Sequence, residues 1–314
     1  MHHTSFALTF FSLSDALISP LHQASFCDIL SYQTKESKRM INWRIYPLTI
    51  ADQQRHIEQS ERLLSTIQSG DQPILYWSLA DPTGLVLGFS QKPNLLNPRA
   101  VASLSMPIYH RRAGGTAVLV GPSLLDLDVV LPPDHPLVLA DIVESYRWLG
   151  ETWVATLRRL GIEEARTVSP TEAHLQRALL KQPETSAYEQ LMNRACYGSL
   201  SSYEVVVGRR KVVGLCMIRR RRGILLQAGV VLHWETTQLA QLLGHTDTEQ
   251  DLLATGLRER AVGLDTLLGR VITYKEIIDA FESHIGTGRG QTPGRGQAPS
   301  LQAPIQERFC YNGR

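Results

Sequence analysis

A cysteine able to act as a nucleophile, a lysine able to stabilise negative charge and a cluster of arginines all fall within residues 194–232. The stretch reads RACYGSLSSYEVVVGRRKVVGLCMIRRRRGILLQAGVVL. Cys196 stands among Gly198, Ser199, Ser201 and Ser202, the composition of a loop rather than of a packed strand. The thiolate is the attacking form of a cysteine, and a neighbouring cation favours attack on a thioester. By residue type alone, a lone cysteine is more often a small buried hydrophobe, and a lysine placed like Lys211 more often an ordinary solvated one. Four consecutive arginines, Arg219 to Arg222, follow, with Arg209 and Arg210 before them. They make a solvated strand edge or a local docking patch for an acidic partner.

Such residues need a sheet to hold them. Residues 203–207 are β-branched and aromatic, 208–210 can turn, 211–218 resume the apolar run, and Gly223 interrupts before 224–232. That is a three-strand meander. Strict alternation sets Lys211, Val213 and Leu215 on one face and Val212, Gly214 and Cys216 on the other. Gly214 leaves room for another chain to approach. Cys196 enters this sheet from the end opposite Lys211, on the order of 13 Å away at roughly 3.3 Å per residue. Residues 197–202 must therefore fold back if the two are to cooperate.

Upstream, Ile50, Ile57, Leu64 and Ile67 recur at helical spacing over 49–68, with Thr49 as N-cap and Gly70 as stop. Two short apolar runs, 74–78 and 85–90, flank the turn cluster at 81–84 and predict a hairpin. Segments 108–112, 117–120 and 124–131 continue the β pattern. In the last, Leu125, Leu127 and Val129 alternate with Asp126 and Asp128, giving one apolar and one polar face. Residues 141–160 carry a helical repeat that stops at Gly161, and Ser169-Pro170 opens a shorter helix. After Trp234 the pattern is helical over 237–243, 252–260 and 273–284. The expectation is an α+β fold with a mixed, largely antiparallel sheet flanked by helices.

The pattern from Cys196-Tyr197 through Tyr203-Glu204-Val205, a basic turn, Lys211-Val212-Val213-Gly214, the arginines and Leu225-Leu226-Gln227 resembles the biotin/lipoate protein ligase superfamily. A second block, Arg111, Ala113, Gly114, Gly115, Thr116, Ala117, Val118 and Leu119, resembles its acyl-binding segment, and Gly88 to Gln91 matches more weakly. The likeness covers roughly residues 43–284. Cys196 is similar to the cysteine of the octanoyltransferase branch. The resemblance implies a biotin/lipoate ligase-like catalytic domain with Cys196 as the acylated nucleophile and Lys211 at the carbonyl end of the acyl group. It further implies acyl binding by Arg111, Gly114, Gly115, Thr116, Ala117 and Gly214, and carrier docking by Arg219, Arg220 and Arg222.

The implied activity, within protein lipoylation, is transfer of an octanoyl or lipoyl group from acyl carrier protein to a lysine of a lipoyl domain. No cofactor, ATP or metal is implied. Three alternatives stand beside it: an ATP-dependent lipoate-protein ligase, a lipoyl-amide transferase, and a non-catalytic acyl- or lipoyl-domain-binding protein. The sequence departs from the family at Val120, where histidine is common, and at Leu215, Cys216 and Met217, where Ser-Ala-Gln or Ile-Ser-Gln is usual. Ala228-Gly229 stands in place of His-Gly.

Composition narrows the partners. In 314 residues the formal net charge is +2, too small for a whole-molecule field suited to nucleic acid or membrane. Nor do aromatic residues interleave the arginines as single-stranded nucleic acid binding needs. The cysteines at 27, 196, 216 and 310 show no metal spacing, and reduced cytoplasmic thiols are the expectation. No GxSxG, Walker A or HExxH pattern occurs, and the GxGxG over 286–290 follows no strand. Residues 1–39 are expected to be a disordered N-terminal extension, 40–285 the catalytic domain, and 286–314 a flexible tail.

Overall fold

The computed structural model describes residues 41–285. The expected extension and tail lie outside the described residues. The chain begins with strand β1 (Arg44–Ala51) and only then enters helix α1 (Gln53–Thr66). The predicted cap at Thr49 is thus displaced to Asp52, whose carboxylate accepts from the Gln54 amide. Ile50, counted toward the helical stripe, sits in the strand and is 49% exposed.

Strands β2 (Ile74–Ala80) and β3 (Gly84–Leu87) do not form the predicted hairpin. The 81–83 turn hands the chain from one sheet to another, because both strands are buried on both faces and each has its own layer to fill. β3 joins β4 (Ile108–His110) and β5 (Val118–Val120) in a small sheet ordered β4-β3-β5. Helix α2 (Pro98–Leu104), capped by Asn97, lies between β3 and β4. The main sheet takes β6 (Leu124–Leu131), β7 (Ala165–Thr167), β8 (Val205–Val207), β9 (Arg210–Arg220) and β10 (Gly223–Val231) in the order β1-β2-β6-β10-β9-β8-β7. Only the β1/β2 pair is parallel. The expected meander is β8-β9-β10, and antiparallel pairing dominates as the run of short connections implies.

The back face of the main sheet is the principal core. Helix α3 (Arg147–Arg159) and the C-terminal helix α9 (Tyr274–His284) cover it, with Trp77, Trp153 and Phe281 in mutual ring contact. Leu125, Leu127 and Val129 of β6 point into this layer at 0% exposure, and each such side chain contributes roughly 2 kcal/mol. Helix α3 begins later than the period over 141–160 suggests, since 144–146 form a 3-10 turn before it. Helix α4 (Pro170–Leu179), capped by Ser169, and α5 (Ser186–Met192) lead toward Cys196. After β10 come α6 (Thr237–Leu243), α7 (Asp247–Arg260) and α8 (Leu264–Leu268). Among the described residues no helix is long and apolar enough to cross a membrane.

On the front face α1 packs Leu63 and Leu64 against Val130 and Leu225, which fills one end of the sheet. The other end stays open. Asp126 and Asp128 face that opening, so the polar face of β6 borders a cavity and not bulk solvent.

Candidate active site

The cavity measures about 530 Å³ and its floor is two rows of residues across the main sheet. Asp126, Gly229 and Gly214 are in register across β6, β10 and β9, and Asp128, Gln227 and Cys216 form the next row. The facing glycines leave a shallow depression that the Tyr197 ring fills. Its hydroxyl donates to the Gly229 carbonyl at 2.7 Å, and a Cβ built at Gly229 would stand 3.1 Å from that oxygen. Fixing Tyr197 fixes its neighbour, Cys196.

Cys196 opens a 3-10 turn, Cys196–Gly198, and is not held loosely. Its amide donates to the Ala117 carbonyl at 2.7 Å, and the Ala117 amide donates to Arg194 at 3.1 Å. Ala117 and Ala195 thereby form a parallel bridge that continues the β5 edge into the cysteine segment. Arg260 braces the far side, donating to the Gly198 carbonyl at 2.7 Å while paired with Glu189. Gln91 donates to the Arg194 carbonyl at 3.0 Å.

Arg111 reaches the same point from β4. Its Nη2 lies 3.0 Å from the Thr116 carbonyl and 3.8 Å from Cys196 Sγ. Burial works against its charge, but the Cys216 and Cys196 sulfurs and the Asp126 carboxylate outweigh that and hold its pKa above the ordinary arginine range. Gly115 is needed here for two reasons. Its φ is +97°, and a Cβ would come within 2.6 Å of Arg111 Nη2. Gly114 is exposed at the cavity lining and meets nothing.

Lys211 is 1% exposed, and its Nζ donates to the Cys196 carbonyl at 2.8 Å. The chain does fold back as the loop length demands, and the expected gap between these residues closes. The nitrogen is also paired with Glu204 at 2.7 Å and lies 5.4 Å from the centre of the Tyr197 ring. Glu204 in turn accepts from the Ser201 amide at 2.7 Å and the Leu215 amide at 3.3 Å.

Strict alternation fails on β9. Between Val206↔Lys211 and Val205↔Val213 the register shifts by one residue, a bulge that leaves Val212 and Val213 both in the back core. Lys211 therefore lines the cavity together with Gly214 and Cys216, not the face opposite to them. Burial pushes the Cys216 thiol up to about 12, with Arg111 opposing, and its Sγ rests 3.6 Å from Gln227 Oε1.

The structure thus brings together Cys196, Lys211, Arg111, Gly115, Thr116, Ala117 and Gly214. It does not bring in the arginine run. Arg219, Arg220 and Arg222 lie beyond Met217, the last lining residue of β9, and Arg220 is roughly 30 Å along the strand from Lys211. Arg220 pairs with Glu61 at 3.0 Å, and Arg219 donates to the Leu139 carbonyl at 2.6 Å. Glu204, Tyr197 and Asp126 were not singled out from sequence as site residues. Glu204 and Tyr197 sit inside the recognised motif without a role, and the only signal for Asp126 is that it occupies a sheet position.

The fold is similar to that of solved lipoate-protein ligases. The Thermoplasma acidophilum bipartite lipoate protein ligase, solved in a study of an archaeal lipoylation system and its E2 lipoyl domain, superposes with a TM-score of 0.59 at 19% identity, covering 77% of this chain and 81% of that one. A lipoate-protein ligase A bound with ATP gives 0.57 at 19% identity over 77% and 83%. Residues 52–286 match the lipoyl protein ligase A/B catalytic domain, and the chain belongs to that family. This bears out the resemblance drawn from residues 111–119 and 194–227. Among curated relatives, the octanoyltransferase LipM of Exiguobacterium sibiricum is 27% identical over 76% of this chain and 84% of its own. The LipM of Bacillus subtilis is 26% identical over 69% and 80%.

Proposed function

We propose that this protein transfers a medium-chain acyl group, octanoyl or lipoyl, from acyl carrier protein to a lysine of a lipoyl domain, through a thioester on Cys196. The observation that carries the reading is the convergence on one residue. Arg111 Nη2 is 3.8 Å from Cys196 Sγ, while Lys211 Nζ holds the Cys196 carbonyl at 2.8 Å. Octanoyl transfer is also the activity in the names of the curated relatives.

In the first half-reaction the Cys196 sulfur attacks the carbonyl carbon of the donor thioester. The carrier's C–S bond breaks and its sulfur leaves with the proton. In the second, the lysine amine attacks the new thioester, an amide forms, and Cys196 recovers its thiol. No electrons change hands. Arg111 and Lys211 supply positive charge where each tetrahedral intermediate concentrates negative charge, a role worth about 10² to 10³ per donor in comparable sites. The geometry suits that role, since the bridge at Ala117 and the Tyr197 contact hold the Cys196 backbone at the cavity.

The test is intact mass spectrometry of the protein after parallel incubation with octanoyl carrier protein, octanoate plus ATP, or a lipoylated domain. Thioester formation on Cys196 from the carrier donor is expected. Acceptor modification only with ATP supports the ligase alternative, modification only from the lipoylated domain supports the amide transferase, and none supports a binding protein.

A further inference from the structure

A lysine stem is flexible, and a buried ammonium points wherever its acceptors hold it. Lys211 Nζ carries three N–H groups. The Cys196 carbonyl accepts one at 2.8 Å and the Glu204 carboxylate another at 2.7 Å. The third has no acceptor among the described residues, and Lys211 lines the cavity. Glu204 is fixed in its turn. Its side chain accepts from the Ser201 amide at 2.7 Å and the Leu215 amide at 3.3 Å, and its backbone carbonyl accepts from the Val168 amide at 2.8 Å. The backbone of Lys211 is held as well, its carbonyl accepting from the Val262 amide at 3.0 Å.

We propose that Glu204 is a positioning residue: it holds one N–H of Lys211 while the Cys196 carbonyl holds a second, and so aims the third at the oxygen of the acyl carbonyl that Cys196 attacks. The inference rests on the acyl-transfer reading and gives a role to a residue that touches no reacting atom. Because the carboxylate also offsets part of the ammonium's charge, the pair contributes direction rather than net charge. Through the Ser201 amide, the same carboxylate ties that direction to residues 199–202, which border the acyl group's path along the cavity lining.

The experiment compares two reactions of Cys196 in the wild type and in Glu204→Gln, both read as initial rates by intact mass spectrometry. Acylation by octanoyl-N-acetylcysteamine places negative charge on an oxygen, whereas alkylation by iodoacetamide, a displacement at saturated carbon, places none there. Glu204→Gln should slow acylation about tenfold or more and leave alkylation within about threefold, since misaiming a catalytic group by about 1 Å can cost about 10²-fold. In a Lys211→Met background the same change should slow acylation no further, because the two residues then act as one unit. A merely structural loosening of the Cys196 turn would instead slow alkylation too, and would act in both backgrounds. Unchanged acylation in the folded variant, equal losses in the two reactions, or the same loss without Lys211 overturns this proposal and leaves the acyl-transfer reading intact. A wild-type Cys196 that takes iodoacetamide but not the octanoyl group overturns the acyl-transfer reading and this inference with it. If Glu204→Gln does not fold, a crystal structure of the wild type octanoylated on Cys196 decides: the acyl oxygen should accept from Lys211 with Glu204 still bonded to that nitrogen. An acyl oxygen bonded elsewhere, or a lysine that has left Glu204, overturns the proposal.

Discussion

Glu204→Ala should be the most damaging single substitution at this site that removes no reacting atom. Lys211 and Glu204 have side chains only 1% and 3% exposed and meet at 2.7 Å. Removing one partner of a pair buried this deeply leaves an uncompensated charge, which costs about 3–5 kcal/mol. Glu204 also accepts the Ser201 and Leu215 amides. The Leu215 amide is buried and loses its acceptor, adding about 1 kcal/mol or more. The expected loss is therefore at the upper end of that range. Glu204→Gln keeps one acceptor oxygen and should cost less. Lys211→Met alone leaves the carboxylate unpaired, while Lys211→Met with Glu204→Gln removes both charges and should recover at least about 2 kcal/mol relative to the sum of the singles. Urea unfolding of the four variants at neutral pH, followed by tryptophan fluorescence, measures this cycle. A Glu204→Ala loss below about 1 kcal/mol, or additivity within about 0.5 kcal/mol, would refute the claim that the two form a desolvated pair.

Other outcomes follow from the same geometry. Cys196→Ser should abolish thioester formation and Lys211→Ala should slow it by about 10² to 10³. Peptide mapping should leave Cys216 unmodified, because its thiol, raised to about 12, is protonated near neutrality; acylation at Cys216 would refute this. Asp126 is raised to about 8 and Asp128 to about 6, so each favours the folded state in its protonated form and loses that contribution as pH rises from about 4 through these values. Stability should accordingly decline between about pH 4 and 8, and Asp126→Asn should flatten the slope in thermal melts taken across that window. Replacing Arg219, Arg220 and Arg222 with glutamate should weaken carrier-protein binding and abolish its salt dependence while sparing reaction with a small thioester. Equal losses with both donors would make the arginines structural, in keeping with their bonds to Glu61 and Leu139.

The sequence spoke clearly where a local signal had no competitor. The helix opened by Ser169-Pro170, the C-terminal helix over 273–284, and the meander punctuated by Gly208 and Gly223 all appear where their chemistry puts them. It misled where two signals overlapped. Thr49 and Asp52 are both competent caps, and the parallel pairing of β1 with β2 decides for Asp52. The turn at 81–84 looks like a hairpin from either side, yet β2 and β3 find different sheets because long-range pairing is invisible to a short window. The site shows the same division. Cys196, Lys211 and the Arg111 block were readable from motif, whereas Glu204 and Asp126 depend on which strands become neighbours. The alternation of Asp126 and Asp128 was visible; that their face borders a cavity was not.

The bulge on β9 makes the position of Lys211 depend on the length of the chain around it. One surplus residue is all that separates Lys211 in the chamber beside Cys196 from Lys211 in the back core among Val205 and Val213. Deleting Val212 would restore an unbroken pleat and invert every position on one flank of the deletion. A substitution around the chamber leaves the pleat as it is, whereas an insertion or deletion between Gly208 and Gly214 moves a charge across the sheet. Anyone grafting this segment into another scaffold would have to carry the irregularity along with the lysine.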